Sequence, residues 1–155
     1  MIPTVGAPAP AFTLADQTGT LRSLEDFRGL PVVLYFYPKD DTPGCTTEAC
    51  EFRDAFAGFH GAATVVGVSP DSVESHAAFS AKYKLPIILL ADPATRVLRA
   101  YGAWGKKTMY GKEYEGVLRS TVLIDADGIV RKTYANVRPE GHAARILDDL
   151  RALRS

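Results

Sequence analysis

The sequence predicts an α/β fold: one mixed central sheet with helices on both faces, extended by a β-hairpin at the N-terminus. Three observations predict it. Residues 31–37 (PVVLYFY), 63–69 (ATVVGVS) and 86–90 (PIILL) are short, nearly unbroken apolar runs, as in strands covered on both faces. The stretches between them repeat apolar residues at helical spacing. Turn residues at 16–19 and 125–128 each divide a pair of short β-prone runs, one pair near each end of the chain.

In chain order, Gly6–Pro10 is a loop and Ala11–Leu14 a short strand. The turn Asp16-Gln17-Thr18-Gly19 leads to Leu21–Leu24 and completes a hairpin. Pro31–Tyr37 is the first buried strand. Ala49, Phe52, Phe56 and Phe59 share helical spacing and predict a helix over 46–59. Ala63–Ser69 is the second buried strand, and Ser72 caps a helix running to about Tyr83. Pro86–Leu90 is the third, with a short helix near Thr95–Tyr101 after it. Residues 102–118, with four glycines and three lysines, read as a long loop. Ser120–Ile124 and Ile129–Tyr134 flank the turn Asp125-Ala126-Asp127-Gly128 as a second hairpin. A helix from about Glu140 to Leu153 turns Ala143, Ile146, Leu147 and Leu150 inward. Hairpin, β-α-β-α-β, hairpin and helix is the order of a thioredoxin-like core, in one domain across 1–155.

The chain has 155 residues, 46% of them hydrophobic. Folding at this length buries roughly 70% of the unfolded chain's surface, so no covalent staple is required. Lys+Arg and Asp+Glu are 18 each. That balance argues against nucleic acid or an anionic membrane as a partner. The charges are uneven: residues 1–60 carry four basic and eight acidic side chains, residues 95–155 twelve and seven. No apolar run approaches the roughly 18–20 residues that span a bilayer. The start, Met1 to Gly6, has no basic or apolar leader pattern. Two cysteines make no disulfide scaffold and fit a reducing, cytoplasmic setting. With His60, His76 and His142 scattered, they form no tight metal-ligand set, and no cofactor is expected.

Both cysteines fall in Pro38-Lys39-Asp40-Asp41-Thr42-Pro43-Gly44-Cys45-Thr46-Thr47-Glu48-Ala49-Cys50. Cys45 stands at a helix start just past a strand end, where α/β sheets place their sites. A thiol reacts as its thiolate, and the free N–H groups and positive dipole end of a helix favour that anion. Seven residues is close to two turns, so Cys45 points with Phe52 and, further on, Phe56, toward an apolar pocket. The alternative is a small buried hydrophobe, as most free cysteines are. Pro43 and Gly44 weigh against it, since they shape a tight turn open to a ligand. Cys50, five residues on, lies about 140° round the helix and about 8–9 Å away between Cα atoms. A disulfide needs Cα atoms within roughly 7 Å, so the pair bonds only if the helix unwinds; otherwise Cys50 is packing. Thr42 is either an N-cap ahead of Pro43 at the first helical position or a hydroxyl facing the sulfur, or both. By composition alone, Arg119 is a surface arginine.

These residues resemble the peroxiredoxins, in particular the bacterioferritin comigratory protein or peroxiredoxin Q subgroup. The family's site pattern stands here as Pro38, Thr42 and Cys45, and the subgroup's second cysteine as Cys50. Tyr101–Gly105, Met109–Gly111 and Gly116–Asp125 also resemble the subgroup. The resemblance implies a peroxidatic Cys45, an Arg119 that stabilises its thiolate and binds peroxide, a Thr42 hydrogen-bonded to peroxide, and a Pro38 that shields the site. Glu48 resembles the glutamate that holds the arginine. A lone carboxylate would oppose the thiolate, so Glu48 makes sense only beside a cation. The implied chemistry is a Cys45 sulfenic acid, an intramolecular Cys45–Cys50 disulfide, and reduction by a thioredoxin- or glutaredoxin-like dithiol, in a monomer, with no metal, haem or flavin.

Other readings share parts of this pattern. A thiol–disulfide oxidoreductase would carry C-x-x-C, which is absent. A glutathione-peroxidase-like enzyme would lack the Thr-Pro-Gly-Cys loop paired with a later strand arginine. A redox sensor or chaperone would use the same residues and stall without its client. A cysteine protease needs a Cys–His pair that no histidine here suggests.

Overall fold

Asp16 sets the first turn. Its Oδ1 accepts from the N–H groups of Thr18 (2.8 Å) and Thr20 (3.1 Å) and from the Thr18 hydroxyl (2.6 Å). These bonds close β1 (Thr13–Asp16) onto β2 (Leu21–Ser23) as the expected antiparallel hairpin. β1 begins later than Ala11 because the preceding segment is bonded elsewhere: Gly6 N–H donates to Val130 O and Ala9 N–H to Gly128 O. A 3-10 helix over Leu24–Phe27, not anticipated, buries Phe27. The computed structural model describes residues 2–59 and 61–154; Met1 and His60, both named above, lie outside the described residues.

The three apolar runs are β3 (Val32–Phe36), β4 (Thr64–Ser69) and β5 (Ile88–Ala91), paired in parallel. Between them lie α1 (Pro43–Asp54), α2 (Phe56–Phe59) and α3 (Val73–Tyr83); after β5 come α4 (Arg96–Ala100), β6 (Trp104–Met109), β7 (Lys112–Val117), β8 (Ser120–Ile124), β9 (Val130–Tyr134) and α5 (His142–Arg154). Seven strands form a mixed sheet in the order β2-β1-β5-β4-β3-β8-β9. Alternation along β3 divides the core. Val33, Tyr35 and Tyr37 pack with Phe52 of α1, Phe79 of α3 and Ile146 of α5. Val32, Leu34 and Phe36 pack on the other face with Phe27, Leu98 of α4 and Val117 of β7. This is the thioredoxin-like arrangement expected, with helices on both faces.

Two expectations are corrected. The helix over 46–59 starts at Pro43 and breaks at Ala55 into α1 and α2. Gly58 in α2 lies against α5: a Cβ there would meet Leu147 Cδ2 at 2.6 Å. The break also moves Phe56 off the Cys45 face, to a shallow cavity shared with Leu30 and Pro86. Residues 102–118 are not a loop. β6 and β7 form a separate two-stranded hairpin, pairing Lys106 with Glu115 and Thr108 with Glu113. Its tip is Tyr110 and Gly111, both at positive φ (53° and 78°). A two-residue hairpin turn demands that geometry, which tyrosine seldom signals. The ladder of backbone pairing from Trp104–Val117 to Met109–Lys112 holds the hairpin, and its sequence has no apolar alternation to announce it.

Candidate active site

Two pieces of local geometry bring the site together. β3 ends at Phe36 and α1 begins at Pro43, so the short connection delivers Cys45 to the carboxyl end of the sheet, on the first turn of α1. β8 lies antiparallel to β3 with Ser120 opposite Phe36, which sets Arg119 beside that same end. Val137 N–H donates to the Arg119 carbonyl at 3.0 Å and fixes its backbone.

The Arg119 guanidinium bridges two groups of α1. Its Nη2 donates to Cys45 Sγ at 3.2 Å, and its Nη1 to Glu48 Oε1 at 2.6 Å. Cys45 and Glu48 are three residues apart, so both reach the same side of the helix. The Arg119 side chain is only 16% exposed, unlike the surface arginine that composition suggests. Gly44 makes room for it: a Cβ at Gly44 would lie 3.3 Å from Nη2 and 3.4 Å from Pro139 Cγ. Pro43 and Gly44 are helical residues, so the expected tight turn at this point is replaced by the first turn of α1.

Gly44→Ala should therefore separate stability from activity. Alanine suits a helix better than glycine by up to about 1 kcal/mol, while its methyl group, 3.3 Å from Nη2, obliges the guanidinium to shift by a few tenths of an ångström. Thermal melting should show stability kept or raised, and stopped-flow kinetics a slower reaction with peroxide. An unchanged rate would show that Arg119 tolerates the shift.

Cys45 is buried and packs in one cluster with Phe52, as their spacing predicts. Cys50 is half-buried, and both thiols are free. Pro38 is half-buried directly after Tyr37. Thr42 occupies the N-cap position, but its side chain makes no capping bond; its hydroxyl donates to Lys39 O at 2.8 Å. The Gly44 and Cys45 N–H groups thus receive no acceptor from the Thr42 side chain, and the Thr42 hydroxyl oxygen keeps its acceptor capacity.

Glu48 is buried to 1% exposure, and Oε2 has no hydrogen-bond partner. Burial pushes its carboxyl up to about 7, against the pull of Arg119. Burial, then the charges of Glu48 and Cys45, hold the Tyr35 phenol well above its usual range, so it stays protonated. The sign for Glu48 follows from linkage: a raised carboxyl binds more protons folded than unfolded, so its contribution to stability falls as pH rises from about 4.5 to about 7. Urea unfolding across that range should show Glu48→Gln with a flatter stability profile than the parent. Parallel profiles would contradict the raised carboxyl. A cavity of about 570 Å³ lies away from this site, between the N-terminal hairpin and Asp127–Ile129, and is lined by no thiol.

Residues 5–133 match the AhpC/TSA family. Peroxiredoxin Bcp of Bacillus subtilis is 45% identical over 148 residues, covering 95% of this chain and 94% of that one. The chain is a peroxiredoxin of the AhpC/TSA family. Chloroplastic peroxiredoxin Q of Sedum lineare is also 45% identical, over 97% of this chain and 80% of its own length. Among solved structures, the bacterioferritin comigratory protein of Xanthomonas campestris superposes with a TM-score of 0.91 at 38% identity, covering 98% of this chain and all of that one. This peroxiredoxin accordingly shares the fold and the peroxide-reducing activity of that subgroup. Serine variants at two different cysteines of Xanthomonas peroxiredoxin Q have been crystallised.

Reasoning from residue types alone missed a second cluster beneath the site: Tyr37, Asp40 and His76, all buried. Its signal was weak. Asp40 sits in an acidic pair that reads as solvated, and His76 is a single histidine on a helix.

Proposed function

We propose that this peroxiredoxin reduces hydrogen peroxide and organic hydroperoxides through a Cys45 sulfenic acid and a Cys45–Cys50 intramolecular disulfide, recycled by a thioredoxin- or glutaredoxin-like dithiol. The observation that carries the reading is the Arg119 Nη2–Cys45 Sγ bond of 3.2 Å at the first turn of α1. Guanidinium and helix dipole both favour the thiolate over the thiol.

The thiolate attacks one peroxide oxygen in line with the O–O bond. The S–O bond forms, the O–O bond breaks, and the leaving oxygen takes a proton to give water or alcohol. Arg119 and the open first-turn N–H groups face the charge that develops on the oxygens. The Thr42 oxygen accepts from the peroxide O–H, since its own hydrogen is committed to Lys39. Glu48 holds Arg119 in place, and Pro38 covers the site. The Cys50 thiol then attacks the Cys45 sulfenic sulfur; the S–S bond forms and water leaves. Because α1 runs unbroken from Pro43 to Asp54, this second step requires its first turns to unwind. The Xanthomonas bacterioferritin comigratory protein has an alkyl peroxide reduction activity, which supports including organic hydroperoxides here.

The same reading has one domain, a monomer, in the cytoplasm, without nucleic-acid or membrane partners. Zero net charge argues against nucleic acid and anionic membranes as partners, and no helix among the described residues is long and apolar enough to cross a membrane.

A coupled assay with thioredoxin, thioredoxin reductase and NADPH tests turnover with hydrogen peroxide and cumene hydroperoxide. Sustained NADPH oxidation is expected; a single equivalent followed by arrest would favour a sensor that passes its oxidation to a client. Cys50→Ser should consume one equivalent of peroxide and then stall as a sulfenic acid, trapped with dimedone. Parental turnover in that variant would remove Cys50 from the cycle.

A further inference from the structure

The connection that carries Pro38 and Thr42 is tied down on the side of α3. Asp40 is 7% exposed and His76 fully buried, with His76 Nδ1 2.6 Å from Asp40 Oδ2. His76 Nε2 lies 3.0 Å from Leu90 O. A carbonyl only accepts, so Nε2 carries a hydrogen, and the short Nδ1–Oδ2 contact needs a second one between the pair. Tyr37 Oη donates to Asp40 Oδ1 at 2.6 Å, and Ser75 Oγ to Oδ2 at 2.8 Å. Burial, then Tyr35 and Asp40, hold the Tyr37 phenol well above its usual range, which keeps it a donor. The backbone joins in: Asp40 N–H donates to Asp71 Oδ2 at 2.8 Å. Asp71 Oδ2 also accepts from Ser69 Oγ, so Asp40, Asp71 and His76 form one polar cluster under the loop. A second tie follows at the surface, where Asp41 accepts from Lys82 Nζ (2.7 Å) and Tyr83 Oη (2.6 Å).

We propose that the buried Asp40–His76 pair is the positioning device of the peroxide loop: it anchors residues 38–42 to α3 and β5 in both redox forms, so that the unwinding needed for the Cys45–Cys50 disulfide begins after Thr42. The contrast with the other side carries the idea. Beyond Thr42, the site-side tethers of α1 are the Arg119 bonds to Cys45 and Glu48 and the Gly141 N–H bond to Glu51 Oε1. The first of these changes when the sulfur is oxidised. Every bond at Asp40 is independent of the sulfur. A fixed stem and a releasable helix let the loop return to its peroxide-binding shape after each reduction. Asp40 and His76 touch no reacting atom; they act through Pro38 and Thr42.

The unwinding half of this proposal rests on the disulfide proposed above; the positioning half does not. Asp40→Asn puts a donor NH2 where one carboxylate oxygen accepts, and His76→Gln replaces the two opposed ring nitrogens by a single amide; both break the pair with little change in volume. In single-turnover reactions of the reduced variants, the peroxide step should slow about tenfold or more, while closure of the disulfide is not slowed. Hydrogen exchange on the parent should show the Asp40 amide equally protected in reduced and disulfide forms, with residues 43–50 exposed only in the latter. In the variants, residues 38–42 should lose protection while β3 and β4 keep theirs. Asp40→Asn is the milder variant if His76→Gln does not fold. A parental peroxide rate in Asp40→Asn overturns the positioning role. Joint loosening of 38–42 and 43–50 in the parent disulfide form overturns the anchor. Absence of any Cys45–Cys50 disulfide in the parent overturns the resolving step instead, and the peroxide-step comparison still decides the role of Asp40.

Discussion

Cys45→Ser should abolish peroxidase activity while leaving the fold intact. The substitution replaces one buried atom at a position packed with Phe52, so the structural cost is small. The chemical cost is total. A serine hydroxyl stays protonated at neutral pH and cannot accept oxygen as sulfur does. Cys50 offers no substitute, because it lies about 140° further round α1 and has no Arg119 contact. The coupled assay and a melting curve check this together. Turnover above a trace in a folded Cys45→Ser protein would end the assignment of Cys45 as the nucleophile.

Arg119→Ala should slow the peroxide step by about a hundredfold, since a charged donor at a developing anion contributes roughly 3 kcal/mol in comparable sites. The same change leaves the Glu48 carboxyl buried with no cation. Burial already raises that carboxyl to about 7, so it takes up a proton and the protein remains folded. Arg119→Lys separates charge from geometry. One ammonium cannot reproduce two directed N–H bonds, to Sγ at 3.2 Å and to Oε1 at 2.6 Å, so the lysine variant should recover only part of the rate. Stopped-flow measurement of the first oxidation, with circular dichroism to confirm folding, decides the matter. A parental rate in Arg119→Ala would leave the 3.2 Å contact without a catalytic role.

Local features of this chain were legible in its residues, and long-range ones were not. The apolar runs at 32–36, 64–69 and 88–91 and the Ser72 cap, whose hydroxyl accepts from Ser75 N–H, declare themselves through composition and spacing. The β6–β7 hairpin does not, because lysines, glutamates and glycines replace an apolar alternation and its turn puts Tyr110 at φ 53°. The end of α1 at Asp54 and the close approach of Leu147 to Gly58 are features that helical periodicity within 46–59 cannot report. The site divides the same way. Cys45, Glu48 and Cys50 share one helix, and their directions follow from 3.6 residues per turn. Arg119 meets Cys45 across 74 positions, through the pairing of β8 on β3; residue type alone marks it as a surface group, and only the family resemblance pointed to it. Asp40 and His76, 36 positions apart, were hidden for the same reason.

The central claim is that Cys45 takes the peroxide oxygen and Cys50 resolves it. Adding one equivalent of hydrogen peroxide to the reduced protein, followed by alkylation of remaining thiols and peptide mass mapping, tests it most directly. The predicted result is a single species lacking two hydrogens, with Cys45 and Cys50 joined within one chain and neither thiol alkylated. A protein whose Cys45 remains fully alkylatable after peroxide has been consumed, or whose Cys45 accumulates as a sulfenic acid beside a free Cys50, would contradict it.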